Sequence, residues 1–131
     1  MFNIVKSFLS AYERRSLSEC LECMAEDGVV MAYGTNAEEK RIGASALREQ
    51  LEQDWAQSRS SGMEIAWRRE CLHGNFGWLA ADLVFRFETD SGTDRLPGRA
   101  SFALARNAAG KWRIEHMHFS LPANKAAGAW A

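Results

Sequence analysis

Apolar residues in the first part of the chain recur at helical spacing. Ile4, Phe8 and Tyr12 fall on one face of a first predicted helix. A second helix is predicted to begin at Ser16, because an acidic residue three positions later completes the spacing of a capping box. It is predicted to end at Gly28, a residue that commonly terminates helices. The N-terminal segment is therefore predicted to be helical.

A third helix is predicted from about residue 44 to residue 58, and it carries a carboxylate on its apolar face. Leu47, Leu51 and Trp55 give this helix its inner side. At 3.6 residues per turn, Asp54 lies within ~20° of Leu47 around the helix axis. An acidic side chain that points with the apolar residues is unusual, so Asp54 is a candidate functional residue.

From Met63 onward the apolar period changes from helical spacing to two, which is typical of β-strands. Turn-forming residues separate four long predicted strands, at 63–71, 76–88, 97–106 and 111–120. A short strand at 29–33 precedes the third helix, and residues 34–41 are predicted to form a loop. Helices followed by a meander of strands predict an α+β domain in which helices cover one face of an antiparallel sheet.

The predicted strand from Phe76 to Glu88 is apolar on both faces. Leu79 and Phe85 lie on one face, and Trp78 and Val84 lie on the other. The helices can cover only one of these faces, so the other needs a second cover. The simplest cover is another copy of the chain, and we therefore expect a homodimer through the sheet.

Length and charge narrow the class of protein further. The 131 residues fit a single domain, with a core at about 3–122 and a loose tail at 123–131. A formal net charge of −1 without a basic stripe argues against nucleic acid as a partner, and the apolar runs are too short to span a membrane. Three cysteines and the lack of a signal-peptide pattern predict a reducing, cytoplasmic location.

The last predicted strand resembles the terminal strand of SnoaL-like proteins, in the nuclear transport factor 2-like superfamily. The residues that carry the resemblance alternate along that strand: Trp112, Ile114, His116, His118, Ser120 and Pro122. The segments 33–35, 41–43 and 78–82 are also similar to that family, and the likeness covers roughly residues 3 to 122. It implies a cone-shaped α+β fold, with N-terminal helices packed on a strongly bent antiparallel sheet that encloses a pocket, and usually a dimer.

The resemblance does not fix the chemistry, because fold and function are separate properties. The superfamily includes polyketide cyclases, ketosteroid isomerases, dehydratases, a kinase association domain and carriers without catalytic activity. The carboxylate positions used by the isomerases have no matching local motif in this chain, which argues against an isomerase of that type.

The turn at 107–110 suggests how the last two strands pair. A tight turn there would place His116 near Ser101 and His118 near Arg99. Ile114 faces the core in this register, and both histidines have the same parity along the strand. The register therefore predicts that both histidines point into the pocket.

These residues, with Asp54 and neighbouring side chains, form the predicted site. Asp82 and Trp78 share a strand face whose direction the pattern leaves open. The candidate catalytic residues are His116, His118 and Asp54. The candidate ligand-binding residues are Arg99, Ser101, Tyr12, Trp55, Trp78 and Asp82.

Several functions fit this predicted site. The first is a pocket for a small molecule, with a possible acid/base reaction of the cyclase, dehydratase or isomerase type that needs no cofactor. There a histidine would transfer the proton, Asp54 would orient that histidine or act as its partner base, and Arg99 would hold a carboxylate or enolate oxygen. The alternatives are a purely structural polar network, a non-catalytic dimerisation or association module, and a metal-dependent hydrolase. In the last, His116 and His118 would bind the metal with Asp54 or Asp82.

Overall fold

The computed structural model describes residues 1–123, so from position 124 onward the predicted loose tail lies outside the described residues. The chain forms helices first and long strands afterwards, as predicted. The helices are α1 (Phe2–Glu13), α2 (Leu17–Glu22) and α3 (Ala44–Ala56). The strands are β1 (Met31–Tyr33), β2 (Lys40–Ile42), β3 (Ser60–His73), β4 (Phe76–Thr89), β5 (Gly92–Arg106) and β6 (Trp112–Ser120).

The six strands form one sheet in the order β2-β1-β6-β5-β4-β3. This arrangement confirms the α+β class, and the four long strands pair antiparallel as predicted. The sheet as a whole is mixed, because β1 runs parallel to β6. The parallel direction is set before β1 begins. The backbone N–H of Ala25 donates to Ile114 O at 2.8 Å, and that of Ile114 donates to Cys23 O at 2.9 Å. The chain leaving α2 therefore already runs alongside β6.

The same contacts explain why α2 is shorter than predicted. The helix ends at Glu22 rather than near Gly28, because the backbone after it pairs with β6. Ser16 makes no side-chain capping bond. Glu19 instead accepts a hydrogen bond from Arg14 Nη1 at 2.5 Å. The predicted loop at 34–41 also contains the start of β2, which pairs with β1.

The core lies between the helices and one face of the sheet, which we call the inner face; the opposite face is the outer face. The fully buried side chains on α1 and on the inner face include Phe8, Leu79, Phe102, Ile114 and Met117. Burying one such side chain contributes about 1.5–3 kcal/mol. The inner face of β4 is the apolar set that period-two spacing predicts, with Leu79, Ala81, Leu83 and Phe85 all buried.

Two irregularities in the ladders change which side chains face the core. In β3 the pairing with β4 shifts between Ile65 and Trp67, so Trp67 lies on the outer face. In the β5–β6 pair, Leu104 opposes Ile114 while Ala103 opposes His116, which leaves Glu115 as an extra residue. An extra residue reverses the side chains that follow it.

The predicted register of β6 is therefore wrong. Beyond Glu115 the inner-face residues are Met117 and Phe119, and Met117 is 1% exposed. His116 and His118 lie on the outer face, where His118 opposes Ser101 rather than Arg99. The prediction assumed unbroken alternation through Ile114, and the bulge breaks that alternation.

Within residues 1–123, no helix is both long enough and apolar enough to cross a membrane.

Candidate ligand cavity

A cavity of about 460 Å³ lies between the inner face of the sheet and helices α1 and α3. Its volume is within the range typical of small-molecule sites. Most of its wall is apolar, and aromatic rings from α1, β4 and β6 contribute to it. The main apolar lining residues are Phe8, Leu47, Leu51, Met63, Phe85, Phe87, Leu96, Met117 and Phe119.

One group of polar side chains lies on the cavity wall formed by α1 and α3. Asp54 Oδ2 accepts a hydrogen bond from the Tyr12 hydroxyl at 3.1 Å, and Asp54 Oδ1 accepts one from Gln50 Nε2 at 2.8 Å. Gln50 precedes Asp54 by one helical turn, so both side chains project from the same side of α3. The carboxylate predicted on the apolar face of this helix does point into the core region, among buried neighbours.

The Gln50 amide is held in one orientation by charged partners on both sides. Its Nε2 also donates to Glu39 Oε2 at 2.6 Å, and its Oε1 accepts from Arg41 Nε at 2.9 Å. Arg41 in turn donates to Gln53 Oε1 at 3.1 Å. Because both atoms of the Gln50 amide are engaged, its N–H group is fixed towards Asp54.

The environment of Asp54 favours its neutral form more than water does. Burial raises the pKa of this carboxyl above its ordinary value, while hydrogen bonds from Gln50 and Tyr12 act in the opposite direction and do not fully offset it. Burial, reinforced by the negative charge of Asp54, also raises the pKa of Tyr12. Tyr12 is therefore a neutral hydrogen-bond donor at physiological pH.

Trp55 supports Tyr12 from behind and is not part of the cavity lining in the described chain. Its Nε1 donates to Tyr12 O at 3.0 Å, and the two rings lie 5.9 Å apart. Arg15, which has a positive φ of 59°, donates to Trp55 O at 2.7 Å. These contacts fix the end of α1 against the end of α3, and with it the Tyr12 hydroxyl.

The structure divides the predicted site residues into two groups on opposite sides of the sheet. Tyr12 and Asp54 meet at the cavity, with Trp55 behind them. The others lie together on the outer face, away from Asp54: Trp78, Asp82, Arg99, Ser101, His116 and His118. The bulge at Glu115 explains why the two histidines face away from the cavity. Arg99 and Ser101 were expected to face the same way as the histidines, and in the structure they also lie on the outer face.

The outer-face group has contacts of its own. The Tyr33 ring lies 5.1 Å from the ring of His118 and 6.1 Å from that of His116. His116 Nδ1 is 3.2 Å from Met31 O. Arg99 is directly opposite Asp82 across the β4–β5 ladder. Residues 1–123 contain no cluster of three or more His, Cys, Asp or Glu side chains that could hold a metal ion.

The predicted site lacks several polar residues of the cavity lining, among them Gln50, Arg41 and Ser61. Gln50 had a usable signal, since it lies one turn from Asp54 and three residues after Leu47 on the same helix side. Arg41 falls in the predicted loop 34–41, and its contact with Gln50 depends on the strand β2 that forms there. Ser61 gave no signal, because it precedes the predicted start of its strand.

A comparison with models of known protein families shows the family to which this chain belongs. The model for the SnoaL-like domain matches residues 3–124, nearly the whole chain. The chain belongs to the SnoaL-like domain family. No curated protein matches its sequence.

Solved structures of the nuclear transport factor 2-like superfamily share the fold of this SnoaL-like domain. A superfamily protein from Salmonella enterica serovar Typhimurium LT2 is 18% identical, with a TM-score of 0.85 over 98% of this chain and 93% of that one. A protein of Shewanella frigidimarina, provisionally named a ketosteroid isomerase, is 17% identical, with a TM-score of 0.76 over 90% and 92%.

A third similar structure comes from Thiobacillus denitrificans and is provisionally named a calcium/calmodulin-dependent protein kinase type II association domain. It is 19% identical, with a TM-score of 0.79 over 92% of this chain and 93% of that one. Identities this low show a shared fold and no more.

Proposed function

We propose that this SnoaL-like domain binds a small, uncharged, largely apolar molecule in the cavity between α1, α3 and the sheet. The observation that carries the proposal is the hydrogen-bonded group of Tyr12, Gln50 and Asp54 on the wall of an otherwise apolar cavity. A few convergent polar groups in an apolar cavity are typical of sites that orient a small ligand.

The charges around the cavity favour a neutral ligand over an anion. The ionisable lining residues include three acids, Glu39, Asp54 and Asp94, and one base, Arg41. Arg41 is already bonded to Gln50 and Gln53. The anion partner expected from the sequence, Arg99, is on the outer face, so a carboxylate in the cavity would face mostly negative neighbours.

The same group supports an acid/base reaction without a cofactor. The Asp54 carboxylate would take a proton from a carbon of the ligand and become a carboxylic acid. It would then return the proton to another carbon, which regenerates the carboxylate and isomerises the ligand. A carboxyl whose pKa is raised towards the working pH suits both half-steps, and Tyr12 and Gln50 would hold it in position.

A thermal-shift screen tests the binding proposal. The panel would contain hydroxylated aromatics, polyketide-like rings, steroids and small carboxylates. A ligand at about 100 times its dissociation constant adds about 2.7 kcal/mol, or roughly 5–10 °C in a domain of this size. We expect stabilisation by neutral members of the panel and none by the carboxylates.

Asp54→Asn is the informative variant for this screen, because Asn keeps the size of the side chain and loses the charge. We expect it to fold and to lose most of the response. A response confined to the carboxylates, or one that Asp54→Asn leaves unchanged, would contradict the proposed site.

The outer face favours a second function, self-association into a homodimer. It exposes large apolar side chains that a monomer would leave in water, including Trp67 at 54% and Trp78 at 41%. Tyr33 and Phe76 are also exposed, at 40% and 60%. Apolar surface grouped in this way is typical of an interface between proteins.

The charges on this face are compatible with a second copy of the same chain. Arg99 and Asp82 are both exposed, and neither forms an ion pair within residues 1–123. In a two-fold contact, Arg99 of each copy can meet Asp82 of the other, since the same surface is presented by both. The outer face thus presents aromatic residues together with one positive and one negative side chain. Such a face can pack against a copy of itself related by a two-fold axis.

Mixing two charge variants tests this interface. Arg99→Asp leaves two acidic residues at positions 82 and 99, and Asp82→Arg leaves two basic ones, so two copies of either variant repel each other. Each variant alone should therefore be monomeric in analytical ultracentrifugation, whereas the wild type should be dimeric. An equimolar mixture should form heterodimers, because opposite charges then face each other between molecules. A monomeric wild type at micromolar concentration, or a mixture that stays monomeric, would rule out this interface.

The three cysteines, Cys20, Cys23 and Cys71, are all free, which supports a reducing, cytoplasmic setting as part of this proposal. The similar structures include one provisionally named for an isomerase and one for an association domain. Those two names correspond to the two proposed functions.

A further inference from the structure

The Ser61 hydroxyl on the cavity wall has no hydrogen-bond partner among residues 1–123. Ser61 lies on the inner face of β3, opposite Phe87, and its residue surface is 2% exposed. Its Oγ is the single buried side-chain oxygen or nitrogen among residues 1–123 that lacks a partner. Buried polar groups are nearly always paired, because an unmade hydrogen bond is costly in the protein interior.

The position of Ser61 relates this hydroxyl to the cavity. Ser61 is a lining residue, as are Tyr12 and Asp54. The Ser61 hydroxyl is near enough to Tyr12 to act against the rise in the Tyr12 pKa. The two hydroxyl groups nevertheless do not form a hydrogen bond with each other. Tyr12 directs its own proton to Asp54, so its oxygen still has accepting capacity.

We propose that Ser61 is a specificity-determining residue that donates its hydroxyl proton to an oxygen of the ligand, beside the Tyr12–Asp54 pair. This inference rests on the proposed cavity function and adds a substrate class to it. The ligand is an apolar ring compound that carries a hydroxyl or carbonyl oxygen at its buried end. The apolar wall receives the ring, Ser61 donates a hydrogen bond to the oxygen, and the Tyr12 oxygen can accept the proton of a ligand hydroxyl.

A matched pair of probes tests this assignment. 2-Naphthol and naphthalene share a ring system and differ in one hydroxyl group. Their dissociation constants would be measured by NMR titration of the wild type, Ser61→Ala and Ser60→Ala. Ser60 is the matched control, since it is the adjacent serine on the same strand, lies outside the cavity lining, and bonds to Arg86 at 3.3 Å.

We expect 2-naphthol to bind the wild type more tightly than naphthalene does. Ser61→Ala should weaken 2-naphthol binding about fivefold, which is the typical effect of one neutral hydrogen bond, and should leave naphthalene unchanged. Ser60→Ala should change neither. Equal losses for both probes in Ser61→Ala, or no loss for 2-naphthol, would overturn the role of Ser61 and leave the cavity proposal intact. Failure of both probes to bind the wild type would overturn both.

Discussion

At the scale of single residues, Asp54 is the most informative position in this SnoaL-like domain. Its place on the apolar face of α3 follows from helical spacing, and the structure shows it bonded to Tyr12 and Gln50. A carboxyl held in a partly buried site is expected to resist ionisation unless its hydrogen bonds compensate. Here the compensation is incomplete, and burial raises its pKa.

This raised pKa predicts a pH dependence of stability. Because folded Asp54 holds its proton more tightly than in the unfolded chain, the wild type loses stability as pH rises from about 3.9, the ordinary pKa, through the folded pKa. Asp54→Asn has no such loss. The free energy of unfolding of the variant minus that of the wild type should therefore increase with pH in this window, as measured by urea unfolding.

Asp90→Asn is the control for this experiment, because the Asp90 side chain is 97% exposed. Its difference from the wild type is measured at the same pH values and subtracted, so that effects common to both substitutions cancel. If the Asp54→Asn difference instead falls as pH rises, the ionised carboxylate is the form that the native structure stabilises, and our view of the site's electrostatics is wrong.

At the scale of elements, the bulge at Glu115 decides which residues of β6 reach the cavity. Strand alternation correctly predicted the inner face of β4, where the pairing is regular. It failed for β6, because one unpaired residue reverses everything after it and leaves no mark in the hydrophobic pattern. Regular alternation therefore predicts His116 and His118 in the cavity, whereas Met117 and Phe119 line it in the structure.

A pair of substitutions on adjacent β6 residues tests this register. Met117→Gln places an amide where 1% of the residue is exposed, so we expect it to cost about 1–3 kcal/mol of stability. His118→Gln, on the exposed outer face, should change stability by less than about 0.5 kcal/mol. Urea unfolding at equal protein concentration would measure the stability of both variants. A larger loss of stability in His118→Gln than in Met117→Gln would contradict the bulge at Glu115 and support regular alternation along β6.

Gly98 on β5 shows how one element shapes the cavity wall. A methyl group added there would overlap the Phe85 ring, which lines the cavity. We expect Gly98→Ala to displace that ring, to cost about 1–3 kcal/mol and to weaken ligand binding. Gly28→Ala is the matched control, since an added methyl group meets nothing within 4 Å and should be nearly neutral. Equal stabilities of the two variants would show that the Phe85 ring can move freely.

At the scale of the whole molecule, the order of helices and strands was predictable, because it depends only on hydrophobic periodicity. The parallel pairing of β1 with β6 was not, since it depends on backbone contacts of Cys23 and Ala25 far from β6 in sequence. The site was predictable in part. Asp54 and Tyr12 had helical signals, whereas Ser61 and Arg41 reach the cavity only through tertiary packing.

The two faces of the sheet now have separate assignments. The inner face bounds a cavity that carries the Tyr12–Gln50–Asp54 group. The outer face carries aromatic residues together with Arg99 and Asp82, which form no ion pair within residues 1–123. Binding and self-association can therefore be disrupted independently. Arg99→Asp should abolish the dimer and leave ligand binding in the cavity unchanged. Asp54→Asn should weaken ligand binding and leave the dimer unchanged.

The most direct test of the cavity assignment is an amide NMR titration of the wild type and Asp54→Asn with 2-naphthol. We predict saturable shifts at cavity residues such as Leu51, Phe85 and Met117, with about tenfold weaker binding in Asp54→Asn, because this variant loses the charged acceptor that orients the Tyr12 hydroxyl. Shifts confined to outer-face residues such as Trp78 and Ser101, or equal affinity in the two proteins, would contradict the assignment of the ligand site to this cavity.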